Sequence, residues 1–484
     1  MDTPRIAIVH YHLRRGGVAS VIRRTAECLA PAGVPGVILA GEPAGDSTAW
    51  ALPVRVVEGL GYADGNRLVV PEALAERLVE TATAALGGRP DIWHVHNHAL
   101  GKNPALTSAV GCLAAQGERL LLQIHDFAED GRTANFVALK NGFSEDSLDA
   151  LGRRIYPQGA RIHYALLNSR DKRFLTKAGW AEESLHLLAN SVDAAGGPSE
   201  SAREPLYLYP TRGIRRKNLG EFLLWAAVEG GAARFAVTLS PLNPLERPGY
   251  EAWKSFAREL ALPVDFEVGE RPGATLAQWV SAATAIASTS VGEGFGLAFL
   301  EPGLADRQVC GRNLPEITED FREQGVDLPG LYDRLDVPAD WLDLPGVWCK
   351  METALNAQYQ AFGLSLAPRH MESVKEAVLR NGMIDFGKLD EDLQRSVLRK
   401  VRSHPELAAQ LHPARLMSAA QSPPALERNR ELIARVFGPD RYRADLLAIY
   451  RTMLEQDEGP EPVISETRLI EQFLAPERFC LLRV

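Results

Sequence analysis

Cysteine is scarce in this sequence, with 5 residues in 484, and no two of them form a Cys-x-x-Cys pair. Cysteines this far apart argue against a disulfide framework or a structural zinc site and fit a reducing compartment, so we expect a cytoplasmic protein. No apolar run approaches the roughly 20 residues that cross a bilayer. The first strand-like run, Ile6–His10, follows Met1 almost directly, so we expect no secretory signal. The sequence therefore predicts no transmembrane segment and leaves peripheral membrane contact open.

Positive charge is also in short supply, because 53 Lys and Arg stand against 62 Asp and Glu, a net charge of -9. General nucleic-acid binders carry the opposite excess, since their affinity comes from neutralising phosphates, and we expect no nucleic-acid partner. Any basic site must be local. With 46% hydrophobic and 24% charged residues the chain is typical of globular proteins, and its length suits two or three domains. The number of chains in the assembly is not indicated.

Short apolar strands alternate with amphipathic helices through the first 195 residues, and the pattern restarts near residue 205 after the turn-rich stretch Ala194–Ser199. This alternation predicts βαβ units and two doubly wound, Rossmann-like parallel sheets, an α/β fold. We expect an N-terminal domain at 1–195 and a second domain at 196–440. A helical insertion at about 320–422 belongs to the second domain, and helices in 441–484 pack back on the first.

The most informative stretch follows the predicted strand Ala285–Thr289 and opens a helix. Glu293 and Glu301 stand eight residues apart, which on a helix is about 12 Å along the axis and about 80° around it. The two carboxylates could therefore touch two parts of one elongated ligand. Gly294 and Gly296 leave backbone amides at the helix N-terminus open to an anionic ligand. An ordinary strand–helix turn with a capping glutamate has the same pattern.

Two further loops carry groups suited to phosphate. Arg212 and Lys217 follow the predicted strand Leu206–Thr211, at the end where ligands bind in open α/β sheets, and could clamp a diphosphate. Gly16 and Gly17 join the first strand to the first helix without making the full dinucleotide-binding pattern. Taken singly, each loop is more often a plain or solvated turn.

Histidines cluster after the middle strands of the first domain. His125 ends the predicted strand Leu120–Asp126 and would lie at the rim of the sheet, unless it is a hydrogen-bonded structural histidine. His94, His96 and His98 alternate along another strand, a spacing that could hold a metal. No carboxylate or cysteine is placed to complete that set, so we do not expect a metal.

In this order along the chain, the motifs resemble those of family 4 of the retaining glycosyltransferases, which have the GT-B fold. The resemblance covers about residues 1–317 and 429–455. Its most specific part is Ser288–Pro302, which is similar to the family's E-x7-E motif. The basic turn, the glycine pair and the histidine at 125 match the family's diphosphate-binding, glycine-loop and sugar-facing residues.

The resemblance implies retaining transfer of a sugar from a nucleoside-diphosphate sugar to an acceptor hydroxyl, by front-face attack and without a metal or other cofactor. A cleft between the domains would hold the donor mainly on the second domain, with Glu293 on the sugar hydroxyls and Glu301 on the ribose. The catalytic residues would be His125, Glu293, Arg212 and Lys217. The donor-binding residues would be Gly16, Gly17, Arg212, Lys217, Glu293, Gly294, Phe295, Gly296, Leu297 and Glu301.

Basic residues in loops after the first domain's strands suggest an acceptor that carries a carboxylate or phosphate, with solvated charges as the alternative. The acceptor-binding residues would be His12, Arg14, Asp126 and Arg132, with Arg15 and Lys140 in neighbouring loops.

The sequence departs from the family's usual Gly-Gly-x-Pro-Glu loop, because Arg312 stands within the corresponding stretch Gly311–Ile317. Two other functions stay open. A nucleotide-sugar epimerase of the same fold would turn over the donor without an acceptor. A non-catalytic sugar-nucleotide-binding subunit would bind the donor without turnover.

Overall fold

The computed structural model describes residues 3–14, 16–45, 50–63, 69–143, 145, 147–193, 204–273, 275–416, 420–459 and 462–484. Arg15 and the predicted linker Ala194–Ser199 lie outside these residues. The chain divides into two compact units. The first comprises Met1–Ser191, Gln360–Leu364 and Phe437–Leu474, and the second Val192–Tyr359, Ser365–Val436 and Ala475–Val484. The last ten residues thus group with the second unit, whereas the sequence analysis placed them against the first domain.

Among the described residues of the first unit, seven parallel strands form one sheet, in the order β3-β2-β1-β4-β5-β6-β7. They are β1 Ile6–His10, β2 Gly36–Ala40, β3 Val54–Val56, β4 Ile92–His96, β5 Leu120–Ile124, β6 Ile162–Leu166 and β7 Leu185–Leu187. The five central strands are buried at every position, as expected when helices cover both faces.

The first unit's helices follow its strands in alternation. They are α1 Gly17–Leu29, α2 Pro71–Leu86, α3 Pro104–Ala115, α4 Thr133–Phe143, α5 Leu148–Ile155 and α6 Ser169–Lys177. Helices α4 and α5, which the sequence analysis did not predict, fill the connection between β5 and β6. This long connection carries the residues that follow His125.

In the part of the second unit that the structure describes, six parallel strands form a sheet in the order β10-β9-β8-β11-β12-β13. They are β8 Leu206–Arg212, β9 Arg234–Leu239, β10 Val264–Asp265, β11 Ala285–Ser288, β12 Gln308–Arg312 and β13 Leu331–Tyr332. The intervening helices are α7 Leu219–Glu229, α8 Arg247–Glu259, α9 Leu276–Ala282, α10 Leu297–Leu304 and α11 Pro315–Glu323. Two parallel sheets of this kind are the two doubly wound α/β sheets that the sequence predicts.

The insertion is helical, as predicted, and also carries a small antiparallel sheet that the sequence analysis did not predict. Its helices are α12 Leu344–Ala361, α13 Pro368–Val378 and α14 Glu391–Ser403, and α15 Pro423–Val436 follows and packs on α10. The small sheet contains β14 Asp336–Pro338, β15 Leu379–Arg380 and β16 Met383–Asp385, in the order β14-β16-β15. Strands of two or three residues are too short to show an alternating pattern.

Two closing helices, α16 Pro439–Glu455 and α17 Glu466–Phe473, complete the first unit. Helix α16 packs on α1 and adds Leu446 and Tyr450 to the buried core. The hydroxyl of Tyr450 lies 2.8 Å from Nδ1 of His94 on β4. The last helices are therefore part of the first unit's core. Searched over the described residues, no helix is long and apolar enough to cross a membrane.

Candidate active site

Two charged residues from separate motifs meet at the carboxyl edge of the second unit's sheet. The ammonium of Lys217 donates a hydrogen bond to Oε1 of Glu293. Nη1 of Arg216 lies 3.7 Å from the other carboxylate oxygen of Glu293. The side chains of Lys217 and Glu293 are 16% and 11% exposed, so this ion pair is shielded from water and still reachable.

The two motifs meet because the strands that precede them are neighbours in the sheet. Strands β8 and β11 pair in parallel, so the turn after β8 and the loop after β11 leave the sheet at the same edge. The hydroxyl of Thr289 donates to the backbone carbonyls of Lys217 (3.2 Å) and Asn218 (3.0 Å). The backbone amide of Val291 donates to the carbonyl of Arg216 at 3.0 Å. The two loops are therefore fixed to each other by hydrogen bonds.

Burial and charge act against each other on this pair. Burial lowers the pKa of Lys217, and the charge of Arg216 lowers it further, whereas the negative charge of Glu293 opposes both. Burial tends to raise the pKa of Glu293, but the charges of Lys217 and Arg216 outweigh it and lower that pKa. Glu293 is thus a carboxylate at neutral pH. Two cations around one carboxylate leave a local positive charge that suits an anionic ligand.

Glu293 and Glu301 do not lie on one helix, which corrects the helical spacing expected from the sequence. Helix α10 begins at Leu297, so Glu293 stands in the loop before it and Glu301 within it. The reason is Gly296, whose φ of 91° lies in the left-handed region, so the helix can begin only after it. A Cβ at this position would also lie 2.9 Å from Cγ2 of Ile317.

The other residues predicted around this motif have different environments. Phe295 is buried and stacks edge-on with Phe321, so its ring belongs to the core. Gly294 lies in the loop and is partly exposed, as are the first residue of α10, Leu297, and Glu301 one turn later.

Arg212 ends β8 and has contacts of its own. Its Nη1 donates to the carbonyl of Ser240 at 3.3 Å. Glu270 accepts hydrogen bonds from the backbone amide and the hydroxyl of Ser240 at 2.6 and 2.7 Å. These bonds, with the charge of Arg212, lower the pKa of Glu270 against the effect of its burial. Arg212 is therefore held by the loop after β9.

Arg312, at the departure from the family pattern, is a buried structural residue. Its guanidinium donates to Glu221 on α7 (2.6 Å) and to Asp385 on β16 (2.7 Å), and the side chains of the two carboxylates are at most 3% exposed. A guanidinium with two carboxylate partners has its charge neutralised. Arg312 thus fastens β12 to α7 and to the insertion.

In the first unit, His125 follows β5 and is held from two sides. The side-chain oxygen of Asn97 accepts hydrogen bonds from the backbone amides of His125 (2.7 Å) and Asp126 (3.1 Å). Nε2 of His125 lies 2.9 Å from Nδ1 of His96. Burial, with a smaller contribution from His94, lowers the pKa of His125 to about 3. The imidazole is therefore neutral at physiological pH and can act through hydrogen bonds.

The alternating histidines have structural partners. The two ring nitrogens of His94 lie 2.8 Å from the hydroxyl of Tyr450 and 2.9 Å from Oε1 of Gln123. Nε2 of His98 lies 3.0 Å from the carbonyl of Ile155. Over the described ranges, no group of three or more His, Cys, Asp or Glu is arranged to hold a metal ion.

The cations predicted to meet the acceptor lie in two places. Arg132 forms an ion pair with Asp126. Arg14 donates to Glu42 through Nε at 2.8 Å, and the ring of His12 stacks edge-on against Tyr62.

A cavity of about 410 Å³ opens beside Arg14 and the N-terminus of α1. Arg23 lies on its wall with Cζ 4.3 Å from the ring centroid of Trp50. The lining residues are Leu13, Arg14, Gly16, Ala19, Ser20, Arg23, Ala44, Gly45 and Trp50. This cavity was not predicted from the sequence, since two separate segments, 13–23 and 44–50, form it together. Gly17, by contrast, simply begins α1.

Comparison with known proteins gives the enzyme class. No protein-family model matches the sequence. The chain is 26% identical over 377 residues to mannosylglucosyl-3-phosphoglycerate synthase from Petrotoga mobilis, covering 72% of each protein. The fold is similar to that of sucrose-phosphate synthase from Thermosynechococcus elongatus, with a TM-score of 0.56 at 15% identity over 93% of this chain and 99% of that one.

Two further solved structures share the fold. HepE from Anabaena, in complex with UDP and glucose, has a TM-score of 0.54 at 10% identity over 93% of this chain and 99% of that one. The catalytic domain of starch synthase IV from Arabidopsis thaliana, bound to ADP and acarbose, has a TM-score of 0.51 at 11% identity over 94% and 99%. The chain is a glycosyltransferase with the GT-B fold.

In this glycosyltransferase, a buried pair of acids supports the loop that follows His125. Glu129 and Glu466 are both fully buried, and the hydroxyl of Tyr156 donates to both oxygens of Glu129 at 3.1 Å. The ring of Phe473, at the other end of α17, lies 5.1 Å from that of Phe127. Helix α17 thus underlies the loop in the first unit.

Burial raises the pKa of Glu129, and burial together with the nearby charge of Glu129 raises that of Glu466 well above its ordinary value. An acid with a raised pKa in the folded state binds its proton more tightly when folded. Stability therefore falls as pH rises from the unfolded value of about 4.3 towards the folded value.

We expect Glu466→Gln to remove part of this pH dependence, because the amide has no proton to lose. The melting temperature of the variant should equal that of the wild type near pH 4.5 and exceed it increasingly towards pH 8. Glu471→Gln, at an exposed position of the same helix, is the control and should follow the wild type. If the melting temperatures of Glu466→Gln and the wild type change with pH in parallel, the proton-binding role of Glu466 is contradicted.

Proposed function

We propose that the protein is a retaining, metal-independent glycosyltransferase of family 4 that transfers a sugar from a nucleoside-diphosphate sugar to an acceptor hydroxyl. The observation that carries the proposal is the shielded ion pair of Lys217, from the turn after β8, with Glu293, directly before α10, and Arg216 beside it. A carboxylate can accept hydrogen bonds from sugar hydroxyls, and the cations can neutralise a departing diphosphate. The two cations would supply this neutralisation without a metal ion.

The same residues suggest how the transfer proceeds. As the bond from the sugar to the diphosphate breaks, negative charge builds on the leaving phosphate, and fixed cations stabilise it without reorganisation. The leaving phosphate oxygen takes the proton of the attacking hydroxyl on the same face, so the anomeric configuration is kept. His125, which is neutral, contributes hydrogen bonds and is not the nucleophile.

A nucleotide-sugar donor agrees with the ligands of the solved structures that share the fold. HepE was crystallised with UDP and glucose, and starch synthase IV with ADP. The two nucleotides differ in their base and share the diphosphate. We therefore infer a donor that is recognised first through its diphosphate.

Neutralising either member of the central pair should abolish transfer. In Lys217→Met and Glu293→Gln we expect kcat/KM to fall by about 100-fold or more, the usual effect of losing one stabilising group at a developing charge. Transfer is measured by product formation from UDP-, GDP- and ADP-sugars. Arg399→Gln, which removes one charge from an exposed pair with Glu259, should act like the wild type.

Transfer at the wild-type rate in either folded variant would refute the site. Donor turnover that needs no acceptor would favour the epimerase. Donor binding with no turnover under any condition would favour the non-catalytic subunit.

We also propose that the acceptor carries a phosphate or carboxylate and binds in the cavity beside α1. Arg14, Ser20 and Arg23 all line this cavity. The relative from Petrotoga mobilis is named for a product that contains 3-phosphoglycerate. A phosphorylated acceptor fits both observations.

Removing one cavity cation should weaken acceptor binding selectively. In Arg23→Gln we expect the acceptor KM to rise by about 10-fold or more, since a charged hydrogen bond contributes about 1.5–3 kcal/mol. The donor KM should not change. The substrates to compare are glucosyl-3-phosphoglycerate and glucosylglycerate, and the wild type should prefer the former.

The control is Arg89→Gln, which removes a charge that is paired with Glu118 outside the cavity. An unchanged acceptor KM in Arg23→Gln would remove the anionic acceptor from this cavity and leave the donor site untouched. Equal use of both substrates by the wild type would show that the phosphate is not recognised, since glucosylglycerate keeps the carboxylate.

A further inference from the structure

The segment Ala475–Val484, called the tail below, belongs to the second unit and is held by the insertion. The ammonium of Lys388, which follows β16, donates to the backbone carbonyls of Glu477 (2.5 Å) and Phe479 (2.9 Å). Two backbone acceptors on one ammonium fix the direction of the tail. The insertion, whose role the sequence does not show, thus positions the tail.

The far part of the tail lies against the basic turn after β8. Its short 3-10 helix, Leu481–Arg483, packs on the turn Arg215–Lys217. Nη1 of Arg215 donates to the backbone oxygen of Val484 at 2.5 Å. Leu481 and Leu482 are 5% and 3% exposed, so apolar burial holds this part of the tail in place.

The side chain of Arg483 reaches the loop that carries Glu293. It lies against Gly292, and a Cβ on that glycine would be 3.2 Å from Nε and 3.3 Å from Cζ of Arg483. Arg216 contacts the same residue, with Nη1 donating to the carbonyl of Gly292 at 2.8 Å. The guanidinium of Arg483 therefore lies next to the residue that precedes Glu293.

We propose that Arg483 is a donor-binding residue that contacts the diphosphate of the nucleotide sugar, and that the insertion and tail bring it to the site. This inference rests on the proposed function. Lys217 and Arg216 contact the carboxylate of Glu293, and Arg483 adds a guanidinium beside the preceding residue. A diphosphate carries a negative charge on each phosphate, so several cations can bind it at once.

The absence of a side chain at Gly292 makes this arrangement possible. The glycine is not among the described residues that adopt a positive φ, so its backbone does not demand glycine. A side chain here would crowd the guanidinium of Arg483. Alanine at this position would push Arg483 away by a few tenths of an ångström or more and leave the charge of the tail intact.

The test has two measurements. Isothermal titration calorimetry gives the Kd of UDP, GDP and ADP. Assays with the nucleotide sugar of whichever nucleotide binds then give the donor KM and kcat. In Arg483→Ala we expect the Kd of that nucleotide and the donor KM to rise by about 10-fold or more. Arg483→Lys should recover part of the affinity, because it keeps the charge. Gly292→Ala should weaken binding in the same direction.

Arg399→Gln again serves as the charge-matched control and should bind like the wild type. If Arg483→Ala and Gly292→Ala both bind the nucleotide as the wild type does, while Lys217→Met does not, the inference is wrong and the proposed function stands. If the wild type binds none of the three nucleotides, the proposed function itself fails. Because Gly292→Ala leaves the tail intact, it decides the question even if Arg483→Ala detaches the tail.

Discussion

The ion pair between Lys217 and Glu293 is the interaction on which this account depends. Both groups are largely withdrawn from water, and the charge of each favours the charged form of the other. A pair of this kind contributes little net stability, since desolvation offsets much of the attraction. Its value lies in holding a charged carboxylate and an ammonium at fixed positions, where a sugar and a diphosphate can meet them.

The residues around the ion pair hold it in position. Parallel pairing of β8 and β11 brings the two loops to one edge, and the hydroxyl of Thr289 fastens them together. On another side, Arg312 ties the sheet to α7 through Glu221 and to the insertion through Asp385. The insertion in turn holds the tail through Lys388. Elements far from the site in sequence thus contribute to its rigidity.

Much of the fold follows from local sequence patterns. Long apolar strands such as Leu120–Ile124 and helices such as Pro71–Leu86 have the expected periodicity, and both sheets could be predicted from it. The strands β12 and β13 were missed for different reasons. Gly311 and Arg312 interrupt the apolar pattern of β12, and β13 has only two residues.

The site was predictable only in part. Lys217 and Glu293 could be placed at one edge, because carboxyl ends of neighbouring parallel strands converge. The left-handed conformation of Gly296, which separates Glu293 from the helix, does not follow from the spacing of the two glutamates. The positions of Arg312 and Arg483 depend on contacts across many residues, for which a single sequence carries no signal.

The central claim is that the charges of Lys217 and Glu293, placed where they are, bind the donor. The most direct test replaces both at once, as Lys217→Met with Glu293→Gln, so that the side chains keep their size and lose their charge. Calorimetric titration of UDP-, GDP- and ADP-sugars into this folded double variant and into the wild type decides the matter. We expect the wild type to bind one of the donors and the double variant to bind none. Equal affinity of the two proteins for that donor would contradict the account.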